Sequence, residues 1–265
     1  GLDDFRREML NDNHIRVLVD YENASDCFPG VDIAGGVCYF LWDRDNPGLC
    51  DVVNIRNNET MHSVRALNEF DTFIRHDQAA SIVRKVCAFG EPMMSNMVSS
   101  RKPFGLPTVA RPQESGDILL RWQNGEGPYR RDEITVGREL IDKWKVITSY
   151  VGYDHAGNPG KDGKRRVFSK IDILPPGTIC TETYLVVGNF DTEQEAKKLV
   201  AYMKTLFFRF LVAQCMYSHH ITKEAYRLVP IQDFSLSWTD EKLYAKYGIT
   251  DEEIKFIESM VRPME

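Results

Sequence analysis

The sequence predicts an α/β module of about sixty residues followed by a larger α+β domain, and three features of the 265-residue chain carry that expectation. Val37-Cys38-Tyr39-Phe40-Leu41-Trp42 is an unbroken apolar run, too short for a typical helix and rich in aromatics, which reads as a central strand covered on both faces. Around it the order is strand, loop, strand, turn, strand, the pattern of a sheet edge finishing in a hairpin. Much later, apolar residues at helical spacing after Asp191 mark a long helix among strand-like segments.

Taken in order, residues 3–11 form an amphipathic helix with Phe5, Met9 and Leu10 on one face. A strand follows at 14–20, where Ile15, Val17 and Val19 alternate with His14, Arg16 and Leu18. Pro29 and Gly30 punctuate the next loop, Gly35 and Gly36 allow close backbone approach, and the apolar strand comes next. Asp45-Asn46-Pro47-Gly48 is a turn into a third strand at 50–55. Three strands and one helix do not enclose a core, so the module is expected to complete a sheet whose other strands lie elsewhere. The boundary falls at Asn57-Asn58-Glu59-Thr60, dividing the chain into 1–58 and 59–265.

In the second part, residues 78–89 have helical spacing and stop at Gly90 and Pro92. Residues 99–108 are a loop carrying Arg101 and Lys102 beside Phe104. Strands are expected at 117–122, 145–151, 166–173 and 181–187, with turns at Asn124-Gly125-Glu126-Gly127 and Pro175-Pro176-Gly177. Residues 154–170 are the most basic stretch, with Gly157, Gly160 and Gly163 among Lys161, Lys164, Arg165, Arg166 and Lys170. Thr192 with Glu195 opens the long helix as a capping box, and the spacing carries it to about Met216. Two closing helices follow, near 240–247 and from Thr250, whose partner in a second capping box is Glu253.

A formal net charge of −6 argues against a protein coated in phosphate contacts but permits a basic cleft in an acidic body. Six scattered cysteines (27, 38, 50, 87, 180 and 215) lack metal-ligand spacing and read as reduced residues of a cytoplasmic protein. No apolar run reaches the roughly 20 residues of a membrane span. The opening Gly1-Leu2-Asp3-Asp4 enters a helix pattern at once, which leads us to expect a piece of a longer chain.

The chemistry on offer is cationic. Arg101, Lys102, Arg130, Arg131, Lys161, Lys164, Arg165, Arg166 and Lys170 lie in loops punctuated by Gly or Pro, where long side chains reach phosphates or guanine edges. Ordinary solvated surface explains the same residues, and the neighbouring aromatics Phe104, Trp122, Tyr129 and Phe168 tilt the balance only modestly toward nucleic acid. The six histidines include no metal pair at helical spacing, and adjacent His219 and His220 suit a surface role. Glu195-Ala196-Lys197, with Asp172 or Asp191, has the form of a metal-nuclease site, but Glu253-Ile254-Lys255 has it too, and both lie in helix starts where acids favour the dipole.

At Asp3-Asp4-Phe5-Arg6, Ile15 to Asp20, Phe28-Pro29-Gly30-Val31-Asp32-Ile33 and Gly35-Gly36-Val37-Cys38-Tyr39-Phe40-Leu41 the chain resembles the end of the catalytic domain of gamma-class N6-adenine DNA methyltransferases of restriction-modification systems, some of which are fused to an endonuclease. Later blocks resemble the target-recognition domain of the same proteins: Lys102-Pro103-Phe104-Gly105-Leu106, Cys180-Thr181-Glu182-Thr183-Tyr184-Leu185-Val186-Val187-Gly188, Tyr202-Met203-Lys204-Thr205 and Trp238-Thr239-Asp240-Glu241. Each block is only moderately specific, but their order strengthens the match.

The resemblance implies the tail of a Rossmann-like methyltransferase sheet over 1–58 and a DNA target-recognition domain over 59–265. It also implies that Phe28 packs against a flipped-out adenine, since chemistry on a base inside a duplex requires extruding it. The family's [DNS]-P-P-[YF] motif and its Gly-rich S-adenosylmethionine loop do not occur; the only Pro-Pro is Pro175-Pro176. The chain is therefore expected to bind double-stranded DNA, to transfer no methyl group alone, and to lack a catalytic or metal site. S-adenosylmethionine would belong to an intact parent containing the N-terminal methyltransferase half, and Mg2+ only to a parent with a nuclease domain. The alternatives are an autonomous metal-dependent nuclease using Glu195 and Lys197, and a non-catalytic specificity subunit.

Overall fold

The computed structural model describes residues 3–31, 33, 35–56, 59–154, 160, 162–216 and 218–264. Two compact units emerge, Gly1–Arg84 and Lys85–Glu265.

The first unit opens with helix α1 (Asp3–Asn11) and strand β1 (Ile15–Tyr21). Strands β2 (Val37–Trp42), β3 (Cys50–Arg56) and β4 (Glu59–Arg65) complete a sheet of order β2-β1-β3-β4. Only the β1–β3 pair is parallel; β2 runs antiparallel to β1 and β4 antiparallel to β3. The expectation of a central, covered β2 is thus corrected. It is β1 and β3 that each lie between two partners, and Tyr39, Phe40, Leu41 and Trp42 on the edge strand are 47–57% exposed. An apolar run marks a strand but does not say what covers it. The sheet's own core is small: Ile15, Cys50 and Val52, with Met9, Leu18, Leu67 and Phe73 against them. Strand β4 was invisible to sequence patterning because Glu59, Thr60, His62 and Ser63 are polar, and its partner register runs from Arg56↔Glu59 to Cys50↔Arg65. The sequence boundary at 58/59 therefore falls between paired strands, its Asn57 and Asn58 lying outside the described residues. Compactness instead divides the chain within helix α2 (Asp77–Cys87).

The second unit holds two three-stranded sheets. In one, β5 (Ile118–Trp122) lies between β6 (Gly125–Tyr129) and β9 (Thr178–Cys180); in the other, β7 (Trp144–Ser149) lies between β10 (Tyr184–Phe190) and β8 (Ile171–Leu174). One core serves both: Ile118, Leu120, Ile179 and Cys180 from the first sheet pack with Ile147, Leu174, Tyr184 and Val186 from the second. The expected turn at 124–127 is mostly strand, because Trp122 pairs with Gly125 and leaves only residues 123 and 124 to reverse the chain.

The expected helix to Met216 is two helices, α3 (Glu193–Lys204) and α4 (Leu206–Ala213). Thr205 between them is extended, and its side chain accepts from the Phe208 N–H as the N-cap of α4. Asp240, the first residue of helix α5 (Asp240–Tyr247), accepts from the Leu206 and Phe207 N–H groups at 3.0 and 2.8 Å. The apolar spacing continues across this break, so periodicity did not reveal it. Helix α6 (Asp251–Met260) has the full Thr250/Glu253 capping box. All six cysteines are free thiols, with Cys50, Cys180 and Cys215 buried and Cys38 exposed. Among the described residues no helix is long and apolar enough to cross a membrane.

Candidate nucleic-acid interface

Beyond Ser149 the chain of β7 continues as an irregular strand between two new neighbours. On one side the Ser149 N–H donates to the Lys170 carbonyl and the Tyr153 N–H to that of Val167, while Ser169 Oγ donates to the Val151 carbonyl. On the other, Gly152 N–H donates to the His219 carbonyl and Ile221 N–H to that of Tyr150, both at 2.8 Å, bridging Val151 to His220. This three-strand platform gathers side chains from four separate parts of the sequence.

Two arginines lie over tyrosines of its central segment. The Arg101 guanidinium sits 4.9 Å from the Tyr150 ring centre, and that of Arg166 sits 4.6 Å from Tyr153. His220 stacks on Tyr150 at 4.5 Å, with the His219 ring 3.9 Å from His220. Arg101 and Lys102 share the Glu182 carboxylate, at 3.1 and 3.6 Å, and Lys170 pairs with Asp172 at 3.2 Å. Burial opposes charge on Glu182, but bonds from Thr108 and the fields of Arg101 and Lys102 outweigh it and hold its carboxyl below the usual range.

Backbone strain is concentrated in the same place. Among the described residues the non-glycine positions with positive φ are Lys102 (φ 63) and Val167 (φ 73), each adjoining one of the stacked arginines. A β-branched residue in that region is a genuine outlier. The Phe168 N–H reaches back 3.0 Å to the Arg166 carbonyl, a tight three-residue turn with Val167 at its centre. Buried Asp154 clamps that turn, accepting from the Arg166 and Val167 N–H groups at 3.0 and 2.7 Å. This turn also explains why the strand expected from 166 begins only at Ile171. Strain of this kind costs about 1–3 kcal/mol per residue and persists where surrounding structure enforces it.

The other sequence-predicted cations are placed differently. Arg165 donates to the Ala213 carbonyl at 3.1 Å, and its backbone pairs with Met260 and Arg262. Lys164 closes a turn with Gly160 and Asp162, and Lys161 lies outside the described residues. Arg130 and Arg131 follow β6 among carboxylates: Arg130 grips Asp132 with Glu133 nearby, and Arg131 forks onto Asp142 at 2.7 Å twice, near Asp117. Sequence reading missed Tyr150, Tyr153 and the histidine pair as neighbours of the cations. No local pattern links residues 101, 150 and 220; the tertiary pairing does.

In the first unit, Phe28 stands 54% exposed on the β1–β2 loop. Asn23 caps a short turn before it, and the Phe28 N–H donates to the Ala24 carbonyl at 2.8 Å. Arg75 fastens the far end, donating to the Gly35 carbonyl at 2.7 Å while pairing with buried Asp20. Gly36 (φ 78) is obligatory, since a Cβ there would lie 2.1 Å from the Tyr21 carbonyl oxygen. That closeness at Gly36 is to the protein's own backbone, whereas a Cβ at Gly35 would meet nothing within 4 Å. Asp32 and Ala34 of the loop lie outside the described residues.

Among the described residues no three His, Cys, Asp or Glu side chains converge to hold a metal. Glu195 engages its own cap residue Thr192, Lys197 pairs with Glu193, and Asp191 with Lys143; Asp172 is taken by Arg121. The nuclease alternative thus lacks a convergent donor set among these groups.

No protein-family model matches the chain, and no curated protein sequence matches it. Among solved structures, the type IIG restriction endonuclease BpuSI superposes with a TM-score of 0.32 and 9% identity, covering 94% of this chain and 40% of that one. The chain thus spans less than half the length of that protein, and a likeness this slight carries no inference.

Proposed function

We propose that this chain recognises double-stranded DNA for a restriction-modification enzyme of the adenine-N6 methyltransferase type. In this reading the Lys85–Glu265 unit serves target recognition and the Gly1–Arg84 unit ends the methyltransferase sheet. The observation that carries the DNA reading is the platform: two arginine-over-tyrosine stacks, each beside a strained backbone position, with Lys102 and Lys170 alongside. Strain at Lys102 and at buried Val167, each next to a stacked arginine, is of the kind that gathers at functional sites. The ordered sequence blocks support the restriction-modification assignment.

Arg101, Lys102 and Lys170 meet phosphates by exchanging Glu182 and Asp172 for backbone phosphates, Arg166 reaches them from over Tyr153, and arginine's fork also suits the acceptor edge of guanine. Phe28, held out by the Asn23 cap and the Arg75 tether, offers a face on which an extruded adenine stacks. In this reading S-adenosylmethionine is held by an N-terminal methyltransferase half of the intact parent.

A salt titration of duplex binding by the full chain tests this. Four phosphate contacts give a slope of log affinity against log salt of about −3 to −4, so affinity falls roughly a hundredfold between about 50 and 200 mM. No binding at the low end would overturn the proposal.

A further inference from the structure

We infer that His219 and His220 form, with Arg101 and Lys102, a binding site for one DNA backbone phosphodiester, and that DNA binding at this site takes up protons. The inference rests on the DNA reading above but adds residues and a linkage that reading does not contain.

The cluster is assembled by tertiary pairing within the second unit. His219 is exposed and His220 half-buried, on the segment that flanks Tyr150. The two imidazoles are 3.9 Å apart, and His220 shares the Tyr150 ring with Arg101. Guanidinium and imidazole N–H groups gathered around Tyr150, with the Lys102 ammonium beside Arg101 at Glu182, offer donors and charge to a phosphodiester oxygen.

The electrostatics give the direction. Arg101 from the 99–108 loop acts on His220 directly, Lys102 and Glu182 (before β10) lie beside Arg101, and Ser218 Oγ accepts from the His220 N–H. Glu182 is engaged by Arg101, Lys102 and Thr108, so the field felt by His220 comes from His219 and Arg101. Burial first, then these two neighbours, push the His220 imidazole below its ordinary value. It is therefore mostly neutral near pH 7 in the free protein.

An anion placed between the imidazoles reverses the balance. It accepts from both rings, offsets the unfavourable field at His220, and raises the His220 pKa in the complex above the free value. A group whose pKa rises on binding contributes affinity that is fully present below its free-state pKa and lost as pH rises through its value in the complex. Affinity should thus climb on acidification through the ordinary histidine range, near 6.5. The phosphodiester stays ionised throughout, so the change belongs to the protein.

The test is duplex binding by the full chain at fixed ionic strength from about pH 8 to about pH 5.5. Wild type is expected to gain roughly three- to tenfold in affinity over that span, consistent with uptake of about one proton. The double variant His219→Gln/His220→Gln should lose that gain, its affinity staying nearly flat across the same span. Calorimetry at pH 6.5 in buffers of different ionisation enthalpy provides a second readout: buffer-dependent heats for wild type and none for the variant. An unchanged pH slope in the variant, or buffer-independent heats in wild type, would overturn the inference while leaving DNA binding intact. Failure to bind duplex at any pH would overturn the DNA reading as well.

Discussion

Lys102 is where residue-scale physics speaks most plainly. It holds φ at 63 immediately before Pro103, a place where the left-handed region is unfavourable twice over. The Gly105 N–H bonded to its carbonyl and the Glu182 carboxylate near its ammonium keep it there. Glycine would relax the backbone, whereas alanine would keep the strain and lose only the charge. Lys102→Gly is therefore expected to be about 1 kcal/mol more stable than Lys102→Ala in urea unfolding, with both variants weakening DNA binding by a similar factor. Equal stabilities would mean that position 102 carries no strain. Arg209 shows the opposite use of a cation. Fully buried in α4, it donates to the carbonyls of Lys204, Thr205 and Arg262, and burial pushes its pKa down to about 10. Nothing in the apolar run Leu206-Phe207-Phe208-Arg209-Phe210-Leu211 distinguishes such an anchor from a solvent-facing arginine.

At the scale of elements, local signals were legible and long-range ones were not. The Thr250/Glu253 box could be read directly, because a capping box satisfies its donors within four residues. Helix α1 and strands β1, β3, β5 and β7 were likewise legible from their spacing. The break between α3 and α4 was not, because it depends on Asp240 arriving from α5 to cap Leu206 and Phe207. Thr205→Ala should cost about 1–2 kcal/mol, as expected for an N-cap; a loss below a few tenths would argue for one continuous helix in solution. The apolar sequence of β2 located a strand correctly, while its edge position follows from which strand β1 pairs with in parallel. Its four exposed apolar side chains lie along the outermost strand of the first unit's sheet.

For the whole molecule, a net charge of −6 coexists with a local basic platform, and the arrangement of charge matters more than its sum. Nine loop cations looked equivalent in the sequence. Folding separates Arg101, Lys102, Arg166 and Lys170, placed beside tyrosines and two histidines, from Arg130 and Arg131, surrounded by Asp117, Asp132, Glu133 and Asp142. That separation makes a comparison of variants the most direct test of the proposed DNA interface. Duplex affinity at about 50 mM salt is measured for wild type, for Arg101→Gln/Lys102→Gln/Arg166→Gln, and for Arg130→Gln/Arg131→Gln. The platform variant is expected to lose at least about tenfold in affinity with a shallower salt slope, and the β6 variant to stay within about twofold. The reverse order, or equal losses in both, would contradict the placement of the interface on the platform.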